Sequence, residues 1–252
     1  MPDTTPPQDH VKPYVHQSLT TKALHFSISE IQSRMVLADP FALDLAYTRL
    51  MMGFLLLQPA PRRLAMVGLG GGSLVKFCHR YVPTARIEVA EINPHVIALR
   101  DEFHIPPDSA RLQVLQADGA HFVRHAAPGV DVLVVDGFGS EGQPARLCSQ
   151  RFYDDCADLL HPDGVLVVNL HAGHRQHDTL VGRIQRAFAG AALVVEDGEL
   201  ANNIVFASTG RALAKAGPGV VRRPKGLAPE ALAQLQPAFA RVSRALLQWR
   251  RS

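Results

Sequence analysis

The segment AMVGLGGGSLVKFCHRYVPTARIEVAEIN, residues 65–93, is the most informative part of the sequence about the fold. An apolar run meets a glycine cluster, an amphipathic segment follows, and a second strand-like run over residues 86–90 ends on Glu91. This order predicts strand, glycine turn, helix, strand and acid. Glycines let a ligand approach the backbone closely, and the free N–H groups of a helix N-terminus lie at the same place. The stretch therefore predicts a nucleotide or nucleoside pocket, with Glu91 accepting hydrogen bonds from two ribose hydroxyls. The glycines concerned are Gly68, Gly70, Gly71 and Gly72.

Two familiar nucleotide-binding motifs do not match this stretch. The dinucleotide pattern G-x-G-x-x-G aligns on Gly68 and Gly70, but its last position falls on Ser73. The pattern that ends in Gly-Lys-Ser/Thr is absent after the cluster. The glycines could also form only a tight turn, with Glu91 as a solvated strand end. An acid about 20 residues after the glycines favours the ribose interpretation.

Two further acids follow strand-like runs. RLQVLQ, residues 111–116, leads to Asp118 and Gly119, and DVLVV, residues 131–135, leads to Asp136. Ligands bind at the carboxyl ends of parallel strands. Carboxylates on three adjacent strand ends, beside a glycine loop, therefore predict a polar ligand with several hydrogen-bond donors.

The composition of the whole chain limits its class. Its 252 residues are 47% hydrophobic and 19% charged, which allows a sizeable core. A net charge of +3 is too small to indicate nucleic-acid binding. Neither a signal peptide nor an apolar segment long enough to span a bilayer is visible, and we expect no membrane contact and a cytoplasmic location. Three cysteines without close spacing also fit a reducing compartment.

The predicted layout has three parts. Residues 1–57 hold a flexible leader to about residue 22, a small hairpin within residues 24–37 and a helix begun by Asp39-Pro40. Residues 58–210 form a nucleoside-binding α/β catalytic domain, whose late strands over residues 192–196 and 203–207 pair as an antiparallel hairpin. Residues 211–252 are a linker and a C-terminal helix.

Several motifs in this order resemble the spermidine synthase, or polyamine aminopropyltransferase, family. They are VGLGGGS at 67–73, VAEINPHVI at 89–97, QADGAHFV at 116–123, VDVLVVDGFGSEGQPARLCSQRFY at 130–153 and LHPDGVLVVNL at 160–170. The resemblance implies a class I methyltransferase-like fold. That fold is a doubly wound, mostly parallel seven-stranded α/β sheet, with a small N-terminal β-hairpin element.

The resemblance also implies a role for each matched position. The glycine loop would hold decarboxylated S-adenosylmethionine or its methylthioadenosine product, with Glu91 on the ribose and Asp118, followed by Gly119, on adenine. Asp136 would be catalytic, sitting beside the amine acceptor and helping to deprotonate it. Residues 137–147 would form a gate. No tightly bound cofactor and no metal is expected, because the adenosyl sulfonium is a co-substrate.

Three departures from the family pattern fall on the amine side of the pocket. Gly71 takes the place of the loop acid thought to hold the aminopropyl amine, Gly139 replaces a second acid at the start of the gate, and Arg49 replaces an N-terminal acid. We therefore expect an adenosine half that is kept and an amine half that is rebuilt. The loss at Gly71 also weakens the case for the decarboxylated donor over ordinary S-adenosylmethionine.

Three functions stay open at this point. The first is an aminopropyltransferase acting on a small-molecule amine that need not be putrescine. The second is an S-adenosylmethionine-dependent methyltransferase, and the third is a non-catalytic adenosine-binding protein. A homodimer is left open as the assembly. His171, His174 and His177 are interpreted as a polar loop, because helical spacing would spread them too widely for one metal.

Overall fold

Two β-sheets organise the chain. The computed structural model describes residues 10–27, 31–138, 142–198, 202–215, 224 and 226–250. The first sheet is antiparallel and has the order β1-β2-β3, from strands Tyr14–Gln17, Thr21–His25 and Ile31–Val36. The predicted hairpin is thus extended by β1, which is polar and mostly exposed and gives little alternating signal. Residues 14–17 and 21–22, predicted to lie in a flexible leader, are strand residues, and residues 1–9 lie outside the described part.

The second sheet has seven strands in the order β6-β5-β4-β7-β8-β10-β9. The first five are parallel, and β10 runs antiparallel to both of its neighbours. This confirms the doubly wound, mostly parallel seven-stranded sheet and the antiparallel late hairpin. The strands are β4 Arg63–Val67, β5 Arg86–Glu91, β6 Leu112–Gln116, β7 Val130–Val135, β8 Leu160–His171, β9 Ala192–Glu196 and β10 Asn202–Ala207.

Helices cover both faces of this sheet. Those of the described chain are α1 Ala46–Met51, α2 Ser73–Tyr81, α3 Pro94–Ile97, α4 Gly119–His125, α5 Gln150–Leu159, α6 His177–Ala187, α7 Ala212–Lys215 and α8 Pro229–Trp249. Apolar residues of α1, α2 and α8 form one core layer, and those of α4, α5 and α6 form the other. Alternate residues of β7 divide between the layers, Val132 and Val134 facing the first and Leu133 and Val135 the second. This alternation follows from the two-residue period of a strand.

The segment before α1 differs from the sequence prediction. Asp39-Pro40 was expected to begin the helix, but α1 begins at Ala46. Tertiary contacts hold the intervening residues in turns: Leu43 N donates to Oε1 of Gln234 on α8 at 3.0 Å, and Val36 bridges Asp39. The helical path also tightens after Met51 into a 3-10 helix, Met52–Leu56, which is fully buried.

The strand order corrects one part of the predicted pocket. Glu91 and Asp118 follow the neighbouring strands β5 and β6, but Asp136 follows β7, which is separated from β5 by β4. Since β4 leads into the glycine loop, that loop lies between Glu91 and Asp136. The three acids therefore flank the loop on both sides. Among the described residues, no helix is long and apolar enough to cross a membrane.

Candidate active site

A cavity of about 1000 Å³ opens at the carboxyl ends of the parallel strands. This is where open α/β sheets bind their ligands. Its walls come from the glycine loop, from strands β3 and β8 and from residues after β5, β6 and β7. Of the predicted site residues, those that line it are Gly68, Gly70, Glu91, Asp118, Gly119 and Asp136.

The glycine loop needs its first glycine for steric reasons. Gly68 has a φ of 97°, in the region that side chains rarely adopt, and an added Cβ would lie 2.3 Å from the carbonyl oxygen of Asp136. This close approach ties the loop after β4 to the strand end of β7. Backbone at Gly68 and Gly70 is thereby exposed to the cavity, as the sequence predicts.

Gly71 and Gly72 do not line the cavity. Gly71 also has no positive φ, unlike Gly68, Gly70 and Gly72. A Cβ on Gly71 would lie 2.7 Å from Ser33 Oγ and 3.0 Å from Phe103 Cδ1. Ser33 belongs to β3, so the small N-terminal sheet fills the place beside Gly71. The sequence could not show this contact, because 38 positions separate the two residues along the chain.

Glu91 lies at the end of β5 and is 8% exposed. Its two carboxylate oxygens accept hydrogen bonds from the backbone N–H groups of Leu69 and Asn93, both at 2.8 Å. These bonds compensate the burial of the charge and fix the side chain beside the glycine loop. Each oxygen keeps a further lone pair, so the carboxylate can accept two more hydrogen bonds from a ligand diol.

Asp118 is the N-cap of α4, and its Oδ1 accepts a hydrogen bond from His121 N at 2.9 Å. Its other oxygen, Oδ2, lies 3.4 Å from the guanidinium of Arg146 in the predicted gate. Gly119 follows as the first helical residue, and a Cβ there would lie 2.3 Å from Val67 Cγ1. Asp118 therefore has a structural role in addition to any ligand contact.

Asp136 opens the other side of the cavity. Its Oδ1 accepts a hydrogen bond from Asn169 Nδ2 at 2.9 Å. Tyr47, whose hydroxyl donates to Gln32 O at 3.5 Å, also lies close enough to affect the pKa of Asp136. Burial raises the pKa of Asp136, and its interactions with Asn169 and Tyr47 partly offset that rise. Burial and the neighbouring Asp136 raise the pKa of Tyr47 well above its usual value, so its phenol stays a donor. The carboxylate is thus a stronger base than a solvated aspartate.

Asn169 is the functional candidate that the sequence analysis missed. It lies on β8, lines the cavity and is 3% exposed. Its Nδ2 is committed to Asp136, while its Oδ1 has no hydrogen-bond partner within the described part of the chain. A buried acceptor without a donor is costly, and a ligand N–H would satisfy it. The signal was present in the sequence as one amide inside the apolar run VLVVNL.

The other predicted features of the amine side divide between the cavity and its surroundings. Arg49 points away and donates to the carbonyl oxygens of Leu43 at 2.5 Å and Asp44 at 2.7 Å. Gly139 lies outside the described residues. His171 and His174 line the cavity, whereas His177 bonds to Asn203 and Asp178. No group of three potential metal ligands occurs among the described residues.

The fold and the cavity together define an α/β protein with a cavity at its strand ends, where a basic carboxylate and a glycine loop lie together. The spermine/spermidine synthase domain model matches residues 44–195, and the chain therefore belongs to that family. This confirms the resemblance identified from the sequence motifs.

A curated relative gives the family match more detail. The polyamine aminopropyltransferase of Chromobacterium violaceum is 37% identical over 170 residues, which are 67% of this chain and 65% of the relative. The chain thus matches a little less than two thirds of that relative's length. The relative is named as a transferase of aminopropyl groups.

Two solved structures share the fold. A spermidine synthase in complex with the transition state analogue AdoDATO superposes with a TM-score of 0.62 at 18% identity, covering 92% of this chain and 87% of that one. Human methyltransferase-like protein 13 in complex with SAH gives a TM-score of 0.55 at 26% identity, covering 80% and 88%. These likenesses confirm the class I methyltransferase-like architecture.

Proposed function

We propose that this protein binds decarboxylated S-adenosylmethionine and transfers its aminopropyl group to a small amine held at Asp136. One observation carries the proposal: a basic carboxylate, Asp136, and the side chain of Asn169, whose buried Oδ1 has no hydrogen-bond partner among the described residues, lie together in the wall of the same cavity. Together they offer acceptors for two N–H bonds of an amine. The lone pair of the nitrogen is then free to face the donor.

The adenosine half of the site supports the same reading. Backbone at Gly68 and Gly70 would lie against the nucleoside, with Glu91 on the ribose diol and Asp118 and Gly119 near the base. Gly71 and Gly72 would act indirectly, by shaping the loop. Asp118 has one oxygen engaged in capping and the other near Arg146, and adenine binding would compete with the second contact.

The reaction would be a displacement at carbon. The neutral amine attacks the methylene carbon bonded to the sulfonium, the C–S bond breaks, and methylthioadenosine leaves as a neutral thioether. The nitrogen becomes cationic as the new C–N bond forms, and Asp136 takes one of its protons. A raised carboxylate pKa brings the base closer to the operating pH and makes this transfer more favourable. Holding amine and carbon in line supplies the remaining advantage.

Methyl transfer from ordinary S-adenosylmethionine is the second candidate. Gly71 supports it, because Ser33 and Phe103 fill the place where the family has an acid for the aminopropyl amine. The fold likeness to a methyltransferase structure at 26% identity is a further reason to test it. The same base, Asp136, would serve a methyl acceptor with an N–H group.

The two candidates differ in donor and product. Purified protein is incubated with each donor and a panel of amines, and the nucleoside products are separated by chromatography. Methylthioadenosine formed from the decarboxylated donor, only when amine is present, supports aminopropyl transfer. S-adenosylhomocysteine formed from S-adenosylmethionine supports methyl transfer instead. Binding of methylthioadenosine without turnover of either donor would leave an adenosine-binding protein.

The assembly and the location belong to this proposal as well. A homodimer is proposed as the assembly, and light scattering on the purified protein measures it. A cytoplasmic location stays a prediction.

A further inference from the structure

The carboxylates of the cavity are unevenly available. Glu91 is held by two backbone N–H groups, and Asp118 caps α4 and lies near Arg146. Of the acids that line the cavity among the described residues, only Asp136 remains to meet a cationic acceptor. A diamine carries two ammonium groups, and only one of them can be placed at Asp136.

The region beyond Asp136 is positively charged rather than negative. The charge comes from Arg175 and Arg183, and we name as the cationic end these two arginines together with His174 and Gln143. His174, Arg175 and Gln143 line the main cavity, after β8 and in the predicted gate. Arg175 is exposed and has no ion pair among the residues that the structure describes.

A second cavity of about 370 Å³ continues the cationic end. It shares Gln143 and His174 with the main cavity and is also lined by Arg183. One nitrogen of the Arg183 guanidinium donates to Cys148 O at 2.6 Å, which holds the group in place. An acceptor that extends away from Asp136 in this direction therefore meets guanidinium and imidazole groups.

Two buried polar atoms without partners reinforce this polarity. Within the described chain, Asn169 Oδ1 is an acceptor with no donor, and Gln143 Nε2 is a donor with no acceptor. The first lies beside Asp136, and the second belongs to the cationic end. Burying either atom unsatisfied costs free energy that a complementary ligand atom recovers. A ligand with N–H groups near Asn169 and oxygen acceptors near Gln143 would therefore complement the site.

We propose that the acceptor carries a carboxylate in addition to its amine, the amine binding at Asp136 and Asn169 and the carboxylate at the cationic end. The proposal rests on the function proposed above and names its acceptor class. A carboxylate matches the planar donor pairs of arginine and satisfies the Gln143 amide. A second ammonium at the same place would meet like charges and lose affinity.

Calorimetry on the protein saturated with methylthioadenosine measures acceptor binding without requiring turnover. Chains of three to six carbons are each tested as the ω-amino acid, the simple alkylamine and the α,ω-diamine. For at least one length, we expect the amino acid to bind about tenfold or more tightly than the alkylamine, and the diamine to bind weakest. Added salt should reduce the advantage of the amino acid.

Substitution of Arg175 tests the origin of that preference. Arg175→Gln should weaken binding of the amino acid by about three- to tenfold and leave the alkylamine unchanged. Arg151→Gln is the matched control, because Arg151 is an exposed arginine on α5 that lines neither cavity. Arg183→Gln is a second probe of the same end, with melting temperature followed because its contact to Cys148 is lost.

The outcomes separate this inference from the proposed function. Tightest binding of the diamine, equal binding of amino acid and alkylamine, or no binding of any compound overturns the inference. Preferential binding of the amino acid without methylthioadenosine release from the decarboxylated donor upholds the inference about the site and removes aminopropyl transfer. Brisk turnover of diamines but not of amino acids supports aminopropyl transfer and overturns the inference about the acceptor.

Discussion

The two halves of the cavity are built in different ways. The proposed adenosine half consists of backbone in the glycine loop and of two acids. Both oxygens of Glu91 and one oxygen of Asp118 are fixed by neighbouring backbone N–H groups. The acceptor half consists of side chains from separate segments, with Tyr47 and Asn169 converging on Asp136. Backbone geometry tolerates much change in sequence, whereas converging side chains alter with each substitution. We therefore expect substitutions to alter the acceptor half more readily than the nucleoside half.

The largest expected effect comes from removing the charge of Asp136. Asp136→Asn keeps the shape and the hydrogen bond from Asn169, but it no longer accepts a proton from the attacking amine. Turnover should fall by about 10²-fold or more, the usual contribution of a positioned base. Methylthioadenosine affinity, measured by calorimetry, should hardly change. Unaltered turnover would show that Asp136 is not the base, and the proposed division between a nucleoside half and a catalytic acceptor half would fail.

The converse experiment is made in the adenosine half. Glu91→Gln removes the charge and replaces one of the two acceptor oxygens by an amide nitrogen. Both oxygens of Glu91 accept backbone hydrogen bonds, and both are proposed to bind the ligand. We expect methylthioadenosine affinity to fall by roughly 10- to 150-fold, which corresponds to about 1.5–3 kcal/mol for a hydrogen bond to a charged group. Glu88→Gln is the control, since Glu88 lies on the same strand but does not line the cavity. Equal affinities of the two variants would contradict the ribose assignment.

Gly71 tests whether the N-terminal sheet shapes the loop. Gly71→Ala crowds Ser33 and Phe103, and we expect the free energy of unfolding to fall by about 1–3 kcal/mol through overpacking. The double variant with Ser33→Gly should recover part of this loss. Chemical denaturation measures both changes. Gly182→Ala on α6 is the control, because an added Cβ there has open space, and it should not lower stability. A Gly71→Ala protein of parental stability would show that β3 can shift away from the added methyl group without loss of stability.

The smallest effect concerns the pH dependence of turnover. A general base acts in its ionised form, so the rate falls as the pH drops through the pKa of Asp136. The Asn169 hydrogen bond lowers that pKa against the raising effect of burial. Asn169→Leu should therefore move the acidic limb of the pH–rate profile to higher pH. The limb should vanish in Asp136→Asn. A limb that stays in place would assign the titration to another group.

Much of the fold could be predicted because its signals are local. Three of the parallel strands, β4, β5 and β7, are short and lead to a glycine or an acid, namely Gly68, Glu91 and Asp136, and these strands occur where expected. The N-terminal region was less predictable. Strand β1 is polar and exposed, and the start of α1 depends on a contact between Leu43 and Gln234, which lie far apart in sequence.

Sequence pattern was enough to identify the glycine loop, the three strand-end acids and the family, because each depends on residues that are close along the chain. The tertiary structure decided which of those acids is available. It placed β4 between Glu91 and Asp136, pressed Ser33 against Gly71 and brought Asn169 to the base. Such contacts form only when the strands and loops pack together, because the residues involved are far apart along the chain. The acceptor half is therefore decided by packing, and the adenosine half by sequence pattern.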